Sequence, residues 1–242
     1  AQLTGSFWWD ASDTGSITDS AGKVSSWEDQ NQGALIIQNT GSNQPTTNTR
    51  TINGLNTIDF DGFNHKMVYS GPQLSAYTKL AVVELDTQQH NGNNLVSGVT
   101  SDPVTGAGSD ALFQYFNGIS ATYRPFQDNA QPYGSINIPI NTPAMVIATS
   151  DSVDTELYIN GTQDTLTGPI GKVDGSGVSA NGLWEIGSFY GNGYLNGKLA
   201  EILVYPTVLS EPDRQSVEGY LAHKWGMTGS LPSNHPYKTV AP

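Results

Sequence analysis

The sequence contains no cysteine. A disulfide framework, a thiolate metal site and a cysteine nucleophile are excluded together. Cations are scarce: Lys and Arg total 10 against 22 Asp and Glu, a formal charge of −12. Nucleic-acid backbones are held by clustered cations that release counterions, so no nucleic-acid partner is expected. The same deficit disfavours anionic membrane surfaces. Charge of either sign is low, at 13% of the chain, against a usual share of about 25%. No apolar run approaches the ~18 residues that span a bilayer as a helix, so no direct membrane insertion is expected. A Gly-x-Ser-x-Gly elbow and a phosphate loop with its lysine are both missing. The 4 histidines, His65, His90, His223 and His235, are scattered without an i, i+4 pair, which disfavours a zinc site.

Asn, Ser, Thr and Gln supply the polarity, alongside 10% aromatic residues. A surface of neutral hydrogen-bonding groups suits an extracellular, secreted or cell-surface β-protein that handles neutral polar ligands. At 242 residues the chain can bury a full core without a staple and reads as one domain over residues 1–242. It opens Ala1-Gln2-Leu3-Thr4-Gly5 with no basic, apolar leader pattern. Either a leader has been removed, or the chain is one module of a larger protein.

Asn-Gly dipeptides begin at Asn53, Asn91, Asn117, Asn160, Asn181, Asn192 and Asn196. Asn-Gly accepts positive φ at both central turn positions, which a two-residue hairpin requires. The best case is Leu157–Gln163, with two strand arms around Asn160-Gly161. Thr57–Phe60, Leu80–Leu85, Ala144–Thr149, Trp184–Ile186 and Lys198–Tyr205 also read as strands. A helix is predicted late. Ser210-Glu211-Pro212-Asp213 is a start signal, Val217, Tyr220 and Leu221 recur at helical spacing, and Gly226 stops it. Its one apolar stripe must pack on something, and the outside of a sandwich is the economical place.

Several stretches together resemble the bacterial branch of the LamG-like jelly-roll family, within the concanavalin A-like lectin/glucanase superfamily. They are Phe7-Trp8-Trp9-Asp10-Ala11-Ser12-Asp13, Val24–Asp29, Gly54-Leu55-Asn56 with Ile58-Asp59-Phe60-Asp61-Gly62, Leu157–Gly161, and Leu195–Tyr205. The helix and the Trp225–Tyr237 tail match as well. The resemblance implies a two-sheet antiparallel β-sandwich of jelly-roll topology with one C-terminal helix packed outside. It also implies glycan binding at a cell surface or beside a catalytic domain. Fold alone does not decide function, because this architecture hosts lectins, hydrolases, lyases and protein binders.

Glu84-Leu85-Asp86 is the one catalytic candidate, since alternate strand residues put two carboxylates on one face. Superfamily glucanases resemble it but carry a third acid just beyond, where this chain has Thr87, Gln88 and Gln89; a strand end is the other reading. Asp59 and Asp61 share one face across Phe60. The loop that follows, Gly62-Phe63-Asn64-His65-Lys66, offers Asn64 and His65 to sugar hydroxyls, or is a solvated turn. Phe189-Tyr190-Gly191-Asn192-Gly193-Tyr194 offers a ring and an amide, Tyr190 and Asn192, in the way a shallow sugar site is built, or its tyrosines cap the core. Tyr123 and Arg124 sit in an alternating aromatic–polar run; the planar fork of Arg124 can read paired hydroxyls or ion-pair with an acid. By resemblance to sandwiches with a structural Ca²⁺, Asp10 and Glu201 are the expected ligands, with Asp102, Asp110, Asp151 and Asp154 as alternatives. The tryptophans Trp8, Trp9, Trp27, Trp184 and Trp225 fall in strand or helix patterns and read as core.

The sequence therefore predicts a carbohydrate-binding, lectin-like domain that breaks no bonds. Its predicted ligand is a glycan or polysaccharide, and its setting a bacterial adhesin or a polysaccharide-active protein. The alternatives are a glycoside hydrolase or lyase using Glu84 and Asp86, and a peptide- or protein-binding adhesin module.

Overall fold

A computed structural model describes residues 6–99, 110–116, 121–127, 132–151, 153–169 and 182–242. The turns predicted at Asn117 and Asn181, and the acid Asp102, lie outside the described residues.

Among the described residues, sixteen strands are formed. The first eight are β1 (Phe7–Asp10), β2 (Ile17–Ser20), β3 (Lys23–Glu28), β4 (Leu35–Ile37), β5 (Thr46–Ile52), β6 (Leu55–Asp61), β7 (Met67–Ser70) and β8 (Tyr77–Leu85). Then come β9 (Val96–Val99), β10 (Asp110–Phe116), β11 (Ala121–Gln127), β12 (Ala144–Ser150), β13 (Thr155–Ile159), β14 (Thr162–Asp164), β15 (Leu183–Ile186) and β16 (Asn196–Tyr205). One α-helix, α1 (Glu211–Lys224), follows. The ladder order is β11-β10-β9-β15-β7-β4-β3-β5-β6-β16-β8-β12-β13-β14, with β1 added to β16 and β2 to β3. Where β3 meets β5, Lys23 stands opposite Thr46. On either side of that join lie two antiparallel sheets, packed as a β-sandwich.

The predicted turns and caps form where their chemistry demands. Asn160 and Gly161 hold φ of 51° and 78° between β13 and β14, the primed turn that matches strand twist. Ser210 caps α1 by accepting from the Asp213 N–H, Pro212 lies in the first turn, and the Trp225 N–H returns to the Leu221 carbonyl. Gly226, at φ 72°, then reverses the chain in a conformation that favours glycine.

β8 and β12 read as continuous apolar runs because both of their faces are covered. Ala81, Val83 and Leu85 of β8, with Ala144, Val146 and Ala148 of β12, enter the inter-sheet core among Phe7, Trp9, Trp27, Trp184 and Phe60. Leu80 and Val82, with Met145 and Ile147, face outward under Val217, Leu221, Ala222 and Trp225 of the helix layer. Each fully buried side chain of this size contributes about 1.5–3 kcal/mol. The helix covers only part of that outer face. Further along β8 and β16 the outward residues become Glu84 and Lys198, opposite one another in register.

Candidate functional site at the sandwich rim

β6 delivers Asp61 to the end of the sheet, and the loop after it folds around that carboxylate. Oδ1 of Asp61 accepts the N–H groups of Phe63 at 2.9 Å, Asn64 at 3.1 Å and His65 at 3.1 Å. Burial pulls the Asp61 carboxyl upward, but these three N–H groups and the adjacent imidazole outweigh it and hold the group below its ordinary value. Nε2 of His65 lies 3.4 Å from Oδ2 of Asp61. Burial pushes the His65 imidazole below its ordinary value in spite of that carboxylate. Oδ1 of Asn64 is buried with no hydrogen-bond partner among the described residues. Phe63 beside them is 76% exposed.

Next to this loop is a cavity of about 300 Å³ whose lining includes Thr49, Arg50, Asp59, Asp61, His65, Asp86 and Asn196. Nη1 of Arg50 lies 2.8 Å from each oxygen of Asp86, and its Nε lies 3.0 Å from Oδ1 of Asp59. The Thr49 hydroxyl also donates to Asp59. Desolvation alone would lower the Arg50 guanidinium, but the two carboxylates raise it above its ordinary value. One wall thus carries donors and acceptors locked in a fixed geometry. Glu84, the other half of the catalytic candidate, is paired instead with Lys198 at 2.5 Å.

A third segment closes the rim. The N–H and carbonyl of Phe189 and Asn192 exchange hydrogen bonds around Tyr190 and Gly191, at φ 50° and 65°. The tight turn therefore falls one pair ahead of the predicted Asn192-Gly193, and it leaves Tyr190 at the tip. Lys66 joins this turn to the His65 loop: its Nζ is 3.2 Å from Oε1 of Glu185, whose Oε2 accepts the Gly191 N–H at 3.0 Å. Asn94 donates to the Gly193 carbonyl, and Asn93 accepts from the Asn196 N–H. The loop that carries Asn64 and His65 is thus tied through Lys66 and Glu185 to the turn that carries Tyr190 and Asn192. Arg50 was missed by sequence reasoning; a rare cation in an acidic chain was the signal that could have found it.

The remaining expected residues lie elsewhere. Tyr123 is a correction: on β11, at 0% exposure in the inter-sheet core, its ring cannot stack on a ligand, and burial pushes its phenol far up. Arg124, its neighbour, has its guanidinium 5.5 Å from the Tyr133 ring centroid, away from the rim. Asp10 and Glu201 do meet, but around Lys224, whose Nζ lies 2.6 Å from Oδ2 of Asp10 and 2.8 Å from Oε2 of Glu201. An ammonium there supplies the charge that Ca²⁺ would bring, and Glu201 also accepts from the indole N–H groups of Trp8 and Trp225. Ca²⁺ needs 6–8 oxygen donors, so this pair does not fit the ion. Asp151 accepts the Val153 and Asp154 N–H groups in its own turn. Among the described residues no group of three or more acids and histidines could hold a metal ion.

No protein-family model matches the chain, and no curated protein is significantly similar to it in sequence. Solved structures do resemble it. Trypanosoma rangeli sialidase is 13% identical, with a TM-score of 0.59 over 90% of this chain and 32% of that one. The chain spans about a third of the sialidase's length. Domain 4 of AbnA, a GH43 extracellular arabinanase from Geobacillus stearothermophilus in complex with arabinotriose, is 13% identical, with a TM-score of 0.55 over 85% of this chain and 94% of that domain. An arabinofuranosidase complexed with arabinofuranosyl-α-1,2-xylobiose is 14% identical, with a TM-score of 0.59 over 81% of this chain and 50% of that one. The likeness to these structures is one of fold, a β-sandwich. The expectation that the chain is not an enzyme is corrected here, because all three neighbours are enzymes or a domain of one.

Proposed function

We propose that the chain is the sugar-recognising β-sandwich of a glycan-processing enzyme that works outside the cell, and that it holds a neutral saccharide at the rim. The observation that carries this reading is the rim itself. The locked Arg50–Asp59–Asp86 wall and His65 line one shallow depression, and the loop that carries His65 also carries Asn64 and the exposed ring of Phe63. Each sugar hydroxyl donates and accepts, so a wall of mixed donors and acceptors suits it, while rings take up the apolar sugar face. The arabinanase domain in complex with arabinotriose supports the ligand class. Affinity in so shallow a site is expected between micromolar and millimolar, about −4 to −8 kcal/mol.

Calorimetric titration with arabinotriose and a panel of neutral oligosaccharides tests the reading. Asn64→Ala and Tyr190→Gly are each expected to weaken binding about tenfold. Tyr190→Gly should leave the melting temperature unchanged or slightly raised, because glycine accepts a φ of 50° without penalty. Silence across the panel, or variants that bind like the parent, rejects the rim as the site.

A second reading has a specific observation behind it. Asp59 and Asp86 share Arg50 on the cavity wall, and paired carboxylates are the machinery of glycosidic cleavage. It predicts release of reducing ends from a polysaccharide, lost in Asp86→Asn while sugar binding survives.

A further inference from the structure

A second cavity, of about 350 Å³, opens where the first turns of α1, the β13–β14 hairpin and the tail after α1 meet. No rim residue lines it. Its floor is Arg214, whose side chain is only 8% exposed. The guanidinium carbon of Arg214 lies 3.7 Å from the ring centroid of Tyr158, and Nη1 is bound to Oε1 of Glu218 at 2.5 Å. Oε2 of Glu218 is in turn 3.0 Å from Nε2 of His235, in the tail. The guanidinium is therefore clamped from below and behind. Nη1 is the one guanidinium nitrogen of Arg214 with a hydrogen-bond partner among the described residues.

On the wall, both oxygens of Glu156 are oriented by neutral donors, the Tyr158 hydroxyl at 2.8 Å and Nε2 of Gln163 at 2.9 Å. No cation pairs with Glu156 among the described residues. Asn234, on the tail side, is exposed and its side chain makes no hydrogen bond among the described residues.

We infer that this cavity is a second saccharide site, one that takes a single neutral sugar unit through hydrogen bonds. A hydroxyl that accepts from Arg214 and donates to Glu156 satisfies both charges at once. An anion would face Glu156 and Glu211 while the one arginine of the lining, Arg214, is already paired with Glu218, so the lining selects against an anion. The size lies at the lower end of the range for small-ligand pockets. One face of the Tyr158 ring is already covered by Arg214, so ring stacking contributes little and hydrogen-bond geometry sets the choice of sugar. Preorganisation makes this effective: the donor and the acceptor are fixed before the ligand arrives, so little ordering is lost on binding.

The test is an NMR titration of the whole chain with the methyl glycosides of glucose, galactose, xylose and arabinose, and with glucosamine and glucuronate as charged probes. At least one neutral glycoside is expected to shift the resonances of Tyr158, Gln163 and Asn234. Asn234→Ala and Glu156→Gln should each weaken that response about fivefold, whereas the rim variant Asn64→Ala should leave it unchanged. The proposal is overturned if no neutral glycoside shifts these residues, if glucuronate binds as well, or if Asn64→Ala abolishes the response. Only the last of these outcomes, or a defect confined to the rim, bears on the rim reading.

Discussion

The ammonium of Lys224, in the last turn of α1, lies 2.6 Å from Oδ2 of Asp10 on the first strand. The same ammonium is 2.8 Å from Oε2 of Glu201, a side chain with no solvent exposure. One cation thus ties the helix to two strands of the sheet beneath it. Burial drives the Glu201 carboxyl above its ordinary value, and Lys224 and the Trp225 indole pull it part of the way back.

Removing Lys224 tests this tie. Lys224→Met leaves Glu201 buried without a cation, which costs about 3–5 kcal/mol. The pH dependence has a definite sign. A carboxyl raised in the folded state contributes stability that is complete below its unfolded value and is lost as pH rises through its folded value. Lys224→Met raises Glu201 further. The variant should therefore lose more stability at pH 7 than at pH 4, and the parent should show the smaller difference. Denaturant melts at both pH values check it; an equal loss at both would show that Glu201 is not the group responsible.

Asp61 behaves in the opposite way. Its folded value lies below the ordinary one, so its contribution is present above that ordinary value and disappears as pH falls through the folded value. Asp61→Ala removes the acceptor of three N–H groups. The amides of Phe63, Asn64 and His65 should then exchange with solvent about tenfold faster or more, while Asp61→Asn, which keeps an oxygen, should retain much of the protection. Hydrogen exchange read by NMR at neutral pH decides it. Unaltered exchange in Asp61→Ala would mean that the loop is held by something else.

Tyr123 carries the third prediction. Its hydroxyl is buried with no partner among the described residues, so the group is desolvated without return. Tyr123→Phe should raise stability by about 1–3 kcal/mol and leave sugar affinity unchanged. A destabilised variant would reveal a hydrogen bond to that hydroxyl.

The rim was partly legible. Asp59 and Asp61 were placed on one face because strand alternation is a local rule, and Tyr190 and Asn192 were singled out by their residue types. The turn was misplaced by one pair because an Asn-Gly signal outweighed Tyr190, which here adopts a φ of 50°. Arg50 went unnoticed, since its partners lie nine residues away at Asp59 and thirty-six away at Asp86. Tyr123 looked available because alternation states which residues share a face, not which face another sheet will cover.

The sequence by itself determined the local geometry: the cap at Ser210, the reversal at Gly226, the Asn160-Gly161 turn, the strand periods, and the exclusion of all thiol chemistry. Those follow from dihedral preferences and hydrogen bonds that act within a few residues. Only the tertiary structure decided that Asp10 and Glu201 close on Lys224, that Arg50 gathers Asp59 and Asp86, and that the helix covers part of one face and leaves Glu84 and Lys198 beyond it. Such pairings depend on how distant strands come to lie side by side, and an ion pair is strong or absent over a few ångströms that no local rule specifies.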